Sequence, residues 1–142
     1  MNEAMHQQPR VMGPDEMQRL LKKYSHGRLG LAFQNEPYVV PVSYGYDQGR
    51  IFFHSDKQGK KVDFMRRNNK LCFEVDEYQK GWASVICYGT ATLREDIEAK
   101  REFFGVLTGQ KPSDEQLKNM GFYVGIIEIE DMTGRCSADF SP

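Results

Sequence analysis

Apolar positions along the chain follow two different periods. Behind Pro14-Asp15-Glu16-Met17-Gln18, residues Met17, Leu20, Leu21 and Tyr24 recur at helical spacing. That spacing predicts a short amphipathic helix ending near Gly27, with Asp15 as its cap and Gln18 reaching back to it. From Arg28 the period becomes two. Arg28–Gln34 (RLGLAFQ) places Leu29, Leu31 and Phe33 on one side, the mark of a half-buried strand. Tyr38–Tyr46 (YVVPVSYGY) reads as the next strand. Pro41 inside it has no N–H for a ladder, so this strand is expected at a sheet edge or at a bulge. Asp47-Gln48-Gly49 turns the chain into a returning strand, Arg50–His54 (RIFFH).

Gly59–Asn69 (GKKVDFMRRNN) interrupts the β pattern with a short helix whose apolar side is Val62, Phe64 and Met65. Lys70–Glu77 (KLCFEVDE) alternates again, with Leu71, Phe73 and Val75 inward. Trp82–Leu93 is a long strand that should bend or bulge at Gly89. A further amphipathic segment, Ile97–Gly109, a loop or short turn at Lys111–Asp114 and a last strand, Phe122–Glu130, complete the series, and Met132–Cys136 extends that strand. Five or six antiparallel strands with two or three helices inserted predict a mostly β chain with α insertions. Regular strand–helix–strand alternation is missing, so a parallel sheet is not expected. A small closed barrel hides the edges that so many strands would otherwise expose. The polar residues 1–13 read as a flexible N-terminal arm, and residues 14–142 as one domain.

Composition narrows the function. The 142 residues carry 19 Lys+Arg against 20 Asp+Glu, a net charge of −1, so no global field draws the chain to nucleic acid or to membranes. No apolar run reaches the roughly 20 residues of a membrane span, and residues 1–16 lack a secretory pattern. Cys72, Cys87 and Cys136 have neither C-x-x-C nor zinc spacing. They read as free thiols of a cytoplasmic protein. The glycine-rich cradles of dinucleotide and nucleoside-triphosphate enzymes, H-E-x-x-H and G-x-S-x-G are all missing.

Charge is placed unevenly despite the neutral total. Between Lys57 and Lys70 stand six basic residues and one acid, Asp63. Three of them, Lys57, Lys60 and Lys61, flank Gly59 at the start of the predicted helix, where free N–H groups and the positive dipole end favour anions. With Ser55 nearby, this constellation suits a phosphomonoester; the residue types alone fit a solvated helix face equally well. Pro41-Val42-Ser43-Tyr44 with His54 forms a second cluster, open to either an edge strand or a planar ligand. Trp82-Ala83-Ser84-Val85 with Tyr88 forms a third, suited to core packing, an interface or ring stacking.

The ordered blocks RLGLAF, PYVVPVSYGYDQGRIFFHSDKQGKKVDFMRRNNKLCFEVDE and WASVICYGTATLRED resemble the pyridoxamine 5′-phosphate oxidase-like superfamily, nearest its 5-nitroimidazole-resistance reductase branch. The likeness extends over roughly residues 14–136, and Pro41–Asp76 carries most of it. It implies an antiparallel split β-barrel homodimer that binds FMN in two clefts between subunits. On that resemblance Pro41, Val42, Ser43 and Tyr44 run beside the flavin ring, and His54 and Ser55 approach the ring and phosphate. Gly59, Lys60 and Lys61 hold the phosphate, while Trp82 and Ser84 come from the partner subunit. His54 is the candidate catalytic residue, on the substrate side or as a proton donor. Authentic pyridoxamine phosphate oxidases carry a C-terminal basic segment for the substrate phosphate. Here the ending MTGRCSADFSP has only Arg135, which argues against vitamin B6 oxidation. The expectation is therefore an FMN-dependent oxidoreductase acting on a small nitroaromatic- or quinone-like electrophile. The alternatives are another flavin in place of FMN, a non-catalytic, stress-related protein of the same fold that binds flavin, or one that binds heme through a histidine such as His54.

Overall fold

The computed structural model describes residues 8–141. Its first elements are β1 (Arg10–Val11), α1 (Pro14–Lys23), β2 (His26–Phe33), β3 (Glu36–Ser43), β4 (Gly45–Asp47), β5 (Arg50–Ser55) and α2 (Lys60–Arg67). They are followed by β6 (Lys70–Glu77), β7 (Ala83–Arg94), α3 (Ile97–Thr108), α4 (Asp114–Lys118) and β8 (Tyr123–Cys136). One antiparallel sheet runs β3-β2-β6-β7-β8-β5-β4, and β1 adds to β8. Its two ends, β3 and β4, are not paired to each other, but β3 comes within contact of β5. The sheet thus curls into a barrel with an open seam: an antiparallel split barrel.

Alternation explains how the barrel fills. Leu29 and Leu31 of β2, Phe73 and Val75 of β6, Val85 and Cys87 of β7 and Ile51 and Phe53 of β5 form the buried interior. Burying a side chain of this kind is worth about 1.5–3 kcal/mol. A second, smaller cluster lies outside the barrel wall, where Phe52, Val124 and Ile126 meet Ala99 and Phe103 of α3. The apolar run Ile51-Phe52-Phe53 is continuous because both faces of β5 are covered.

Pro41 sits on an end strand, as its missing N–H requires. The β7–β8 register slips between Tyr88 and Gly89. A Cβ at Gly89 would lie 2.1 Å from the Glu128 carbonyl oxygen, so the bulge depends on a residue without one.

Three expectations need correction. The N-terminal arm is not loose throughout: Arg10 and Val11 pair with Cys136 and Arg135, and Met12 is buried. The rest of that arm, residues 1–7, lies outside the described residues. The first helix is capped by Gly13, not Asp15, and Glu16 rather than Gln18 reaches back to accept the Gly13 N–H at 3.1 Å. Pro14, with its preset φ and no N–H, takes the first helical position and fixes that start. The helix also stops at Lys23, because Tyr24 is already extended. Finally, the single strand expected over Tyr38–Tyr46 is two. Tyr44 breaks it: its N–H donates to Ser25 O at 2.9 Å and its hydroxyl to Leu21 O at 2.6 Å. There the chain leaves one edge of the sheet and crosses to the other.

Candidate functional site

The helix α2 closes one end of the barrel by burying Val62, Phe64 and Met65. Its Phe64 ring lies 5.4 Å from that of Tyr38 on β3, which holds the helix start beside the seam. Gly59 is the N-cap, with φ 122° and ψ 175°, a backbone conformation that is essentially glycine's alone. It has no side chain to cap the helix. Asp63 N–H donates to Gly59 O at 3.0 Å, while the N–H groups of Lys60, Lys61 and Val62 precede the first intrahelical acceptor. A Cβ built on Gly59 meets nothing within 4 Å, so the space in front of these donors is open. Ser55, buried at the end of β5, donates its hydroxyl to Asp56 O at 2.9 Å. An uncapped helix start with a half-buried Lys61 beside it offers N–H donors and a positive charge of the kind that can hold an anion.

The two lysines differ in exposure, and Lys61 is the half-buried one. Lys60 is exposed, and its Nζ stands 4.9 Å from the Tyr38 ring centroid and 5.7 Å from that of Phe64. Lys57, expected in the same cluster, is paired with Glu95 at 2.6 Å.

The P-V-S-Y segment divides by parity. Pro41 stands opposite Arg28, and Ser43 opposite His26, on the outer face of the sheet. Val42 points into the core, and Tyr44 is buried with its ring edge-on to Phe73 at 4.9 Å. Burial raises the Tyr44 phenol pKa, so this hydroxyl stays protonated and belongs to the core. Ser84 shares the outer face, opposite Asp76, and donates to Glu74 at 3.3 Å. Trp82 is held to the C-terminal segment: its N–H donates to the Ser137 hydroxyl and its carbonyl accepts the Ser137 N–H, both at 2.9 Å.

His54 is not brought to Ser55. It leaves β5 on the outer side, 5.9 Å from Phe103 and 5.8 Å from Phe122 by ring centroids.

One polar cluster escaped the sequence reading. Arg28 Nε donates to Glu74 at 2.7 Å, and its NH2 group lies 3.3 Å from Asp76. Burial and the adjacent Asp76 carboxyl hold the Glu74 pKa above its ordinary value despite Arg28. The alternation in KLCFEVDE already placed both acids on one face, but nothing local named Arg28 as their partner. The outer face also carries exposed Val39 and Tyr88, which flank an apolar groove of about 770 Å³ that includes Gly30, Pro37 and Cys72.

The antiparallel split barrel is the fold expected of the superfamily that the sequence resembles. The pyridoxamine 5′-phosphate oxidase family model matches residues 13–136, and the chain belongs to that family. An uncharacterized protein of Rhizobium meliloti is 28% identical over 144 residues, covering 90% of this chain and 95% of its own. Among solved structures, an FAD-binding protein of Mesorhizobium loti is 26% identical with a TM-score of 0.77, covering 93% of this chain and 100% of the other. A Bacteroides thetaiotaomicron protein provisionally named for 5-nitroimidazole antibiotic resistance shares the fold at 21% identity and TM-score 0.77, covering 92% and 93%. No helix among the described residues is long and apolar enough to cross a membrane.

Proposed function

We propose that the chain is a flavoprotein that binds the FMN moiety of a flavin nucleotide and reduces a small electrophile of the nitroaromatic or quinone kind. The observation that carries this reading is the start of α2: Gly59 at a positive φ, free N–H groups of Lys60, Lys61 and Val62, and a half-buried Lys61 side chain. Family membership over residues 13–136 supports it, as does the FAD-binding relative at 26% identity.

In this reading Lys61 and the helix N–H groups hold the phosphate next to the isoalloxazine, and the Ser55 hydroxyl turns from Asp56 O to join them. Pro41 and Ser43 present the outer face of β3 to the ring. A bound flavin supplies hydride or single-electron transfer; the protein orients it and sets its potential through the charges nearby. Arg28, next to Pro41 on that face, is held there by the Glu74 and Asp76 carboxylates.

We further infer a homodimer. Val39 at 66% and Tyr88 at 44% exposure stand over an apolar groove, the kind of surface that a second subunit covers. Trp82 and Ser84 then meet the flavin of the partner. The protein is taken to act in the cytoplasm.

The deciding experiment is the visible spectrum of freshly purified protein, with any chromophore identified by mass. It is followed by FMN titration and by NAD(P)H consumption with a nitroaromatic and a quinone. Flavin bands and acceptor-dependent turnover are expected. Protein that stays colourless and gains no absorbance with FMN overturns the reading; flavin without turnover leaves a binding protein, not an enzyme.

A further inference from the structure

A pocket of about 260 Å³ lies between α1 and the C-terminal segment, and no residue of α2 lines it. Glu16, Arg19, Leu20 and Lys23 form one side; spaced three and four residues apart, they are a single stripe of α1. Glu77 of β6 and Phe140 form the other side. Leu20 and Phe140 are themselves buried, and the wall of the pocket is largely apolar. Pockets for drug-sized ligands span roughly 300–1,000 Å³. This one is smaller, and suits a molecule of one ring.

The polar groups around the pocket do not all find partners. Glu77 is 6% exposed, and its Oε1 accepts from Lys23 Nζ at 2.6 Å and from the Tyr24 hydroxyl. These two bonds hold its pKa below the ordinary carboxylate value, so Glu77 is ionised at neutral pH. Among the described residues nothing donates to its other oxygen, Oε2, although buried polar atoms are as a rule hydrogen-bonded. Glu16 gives both of its oxygens to Arg10. Arg19 is exposed and forms no ion pair among the described residues. One acceptor and one cation are thus left over. Arg19 and Lys23, the second of which marks the Glu77 end, are four residues apart, about 6 Å along the helix. That is the span of one aromatic ring.

We propose that this pocket binds a small aromatic carboxylate that carries one O–H or N–H donor at the far end of its ring. The donor meets Glu77 Oε2, the ring lies against Leu20 and Phe140, and the carboxylate meets the Arg19 guanidinium. A cationic amine is the wrong head group, because Lys23 already stands at Glu77 and Arg19 leaves the rim positive. A purely apolar molecule leaves Oε2 without a donor. The site is independent of the flavin reading, since its residues come from α1, the end of β6 and the C-terminal segment.

The test is a set of NMR titrations of the full chain with 4-hydroxyphenylacetate, with phenylacetate, which lacks the donor, and with p-cresol, which lacks the carboxylate. Saturable amide shifts are expected at Leu20, Lys23, Glu77 and Phe140 with the first. The other two should each bind about tenfold more weakly, the equivalent of one charge-assisted contact. Arg19→Ala, at an exposed position, should lower the affinity for 4-hydroxyphenylacetate to that for p-cresol and leave p-cresol where it was. The same shifts should appear with and without added FMN. No saturable shift at these residues through the millimolar range, equal binding of the three probes, or an Arg19→Ala variant that binds 4-hydroxyphenylacetate like the wild type overturns the proposal, and none of these results touches the flavin reading.

Discussion

His54 and Ser55 are neighbours on β5, yet their side chains part: Ser55 is buried within the barrel, while His54 lies outside it between the edges of Phe103 and Phe122. A strand sends successive side chains to opposite faces. One ligand at the seam therefore cannot take both from the same side of the strand, and it is Ser55 that shares the end of β5 with the Gly59–Lys61 turn.

His54→Ala is thus expected to leave flavin affinity and the flavin spectrum unchanged. It should lower stability by about 0.5–1.5 kcal/mol, the worth of an aromatic pairing of this type. Flavin titration and urea unfolding of the variant check both parts. Loss of flavin binding with unchanged stability would return His54 to the cofactor, and a heme Soret band lost in the variant would favour the heme alternative.

Lys61→Ala tests the phosphate clamp directly. A charge-assisted hydrogen bond is worth about 1.5–3 kcal/mol, so FMN affinity should fall about tenfold to a hundredfold. Riboflavin, which has no phosphate, should bind the variant as it binds the wild type. Equal weakening of the two ligands would place the phosphate elsewhere.

Much of this was legible before any coordinates. Alternation located β2, β6 and β7, Pro41 marked an end strand, and Gly89 marked the bulge. The position of His54 was not legible, for a physical reason. In RIFFH both faces of the strand are apolar, because Phe52 packs outward on α3 and Phe53 inward. Periodicity then gives no sign of which side His54 shares. The break at Tyr44 was hidden likewise: its hydroxyl reaches Leu21 O across more than twenty residues, and no local rule anticipates that bond. Parity alone, by contrast, would have shown that Val42 cannot point the same way as Pro41 and Ser43.

Val39→Asp tests the shared interface. Val39 is two-thirds exposed on an outer face that holds Pro41 and Tyr88, so an acid there costs the isolated protomer little. Burial against a second copy would desolvate the new carboxylate without a partner. Light scattering should show a dimer for the wild type and a monomer for the variant, and flavin affinity should fall with it if each site draws on both subunits. A dimer that persists in Val39→Asp would move the interface off this face.

Glu16 holds Arg10, which also donates to Phe140 O at 3.3 Å near the other end of the described chain, and its ionisation makes that tie dependent on pH. Both its oxygens accept from Arg10, at 3.0 and 2.8 Å, and Oε1 also takes the Gly13 N–H. Arg10 first, and Gly13 second, lower the Glu16 pKa from its ordinary 4.5 to about 2, while burial opposes them. The folded pKa is the depressed one, so the stabilisation is complete above about 4.5 and disappears as the pH falls toward about 2. Glu16→Gln should therefore be less stable than the wild type at pH 7, with a gap in urea midpoint that narrows steadily below pH 4.5 and closes near pH 2. The same variant should loosen β1, which Arg10 anchors, and speed hydrogen exchange at Met12, whose N–H donates to Gly134 O at 2.9 Å. A gap that stays constant across that range would mean that Glu16 acts through its shape and not its charge.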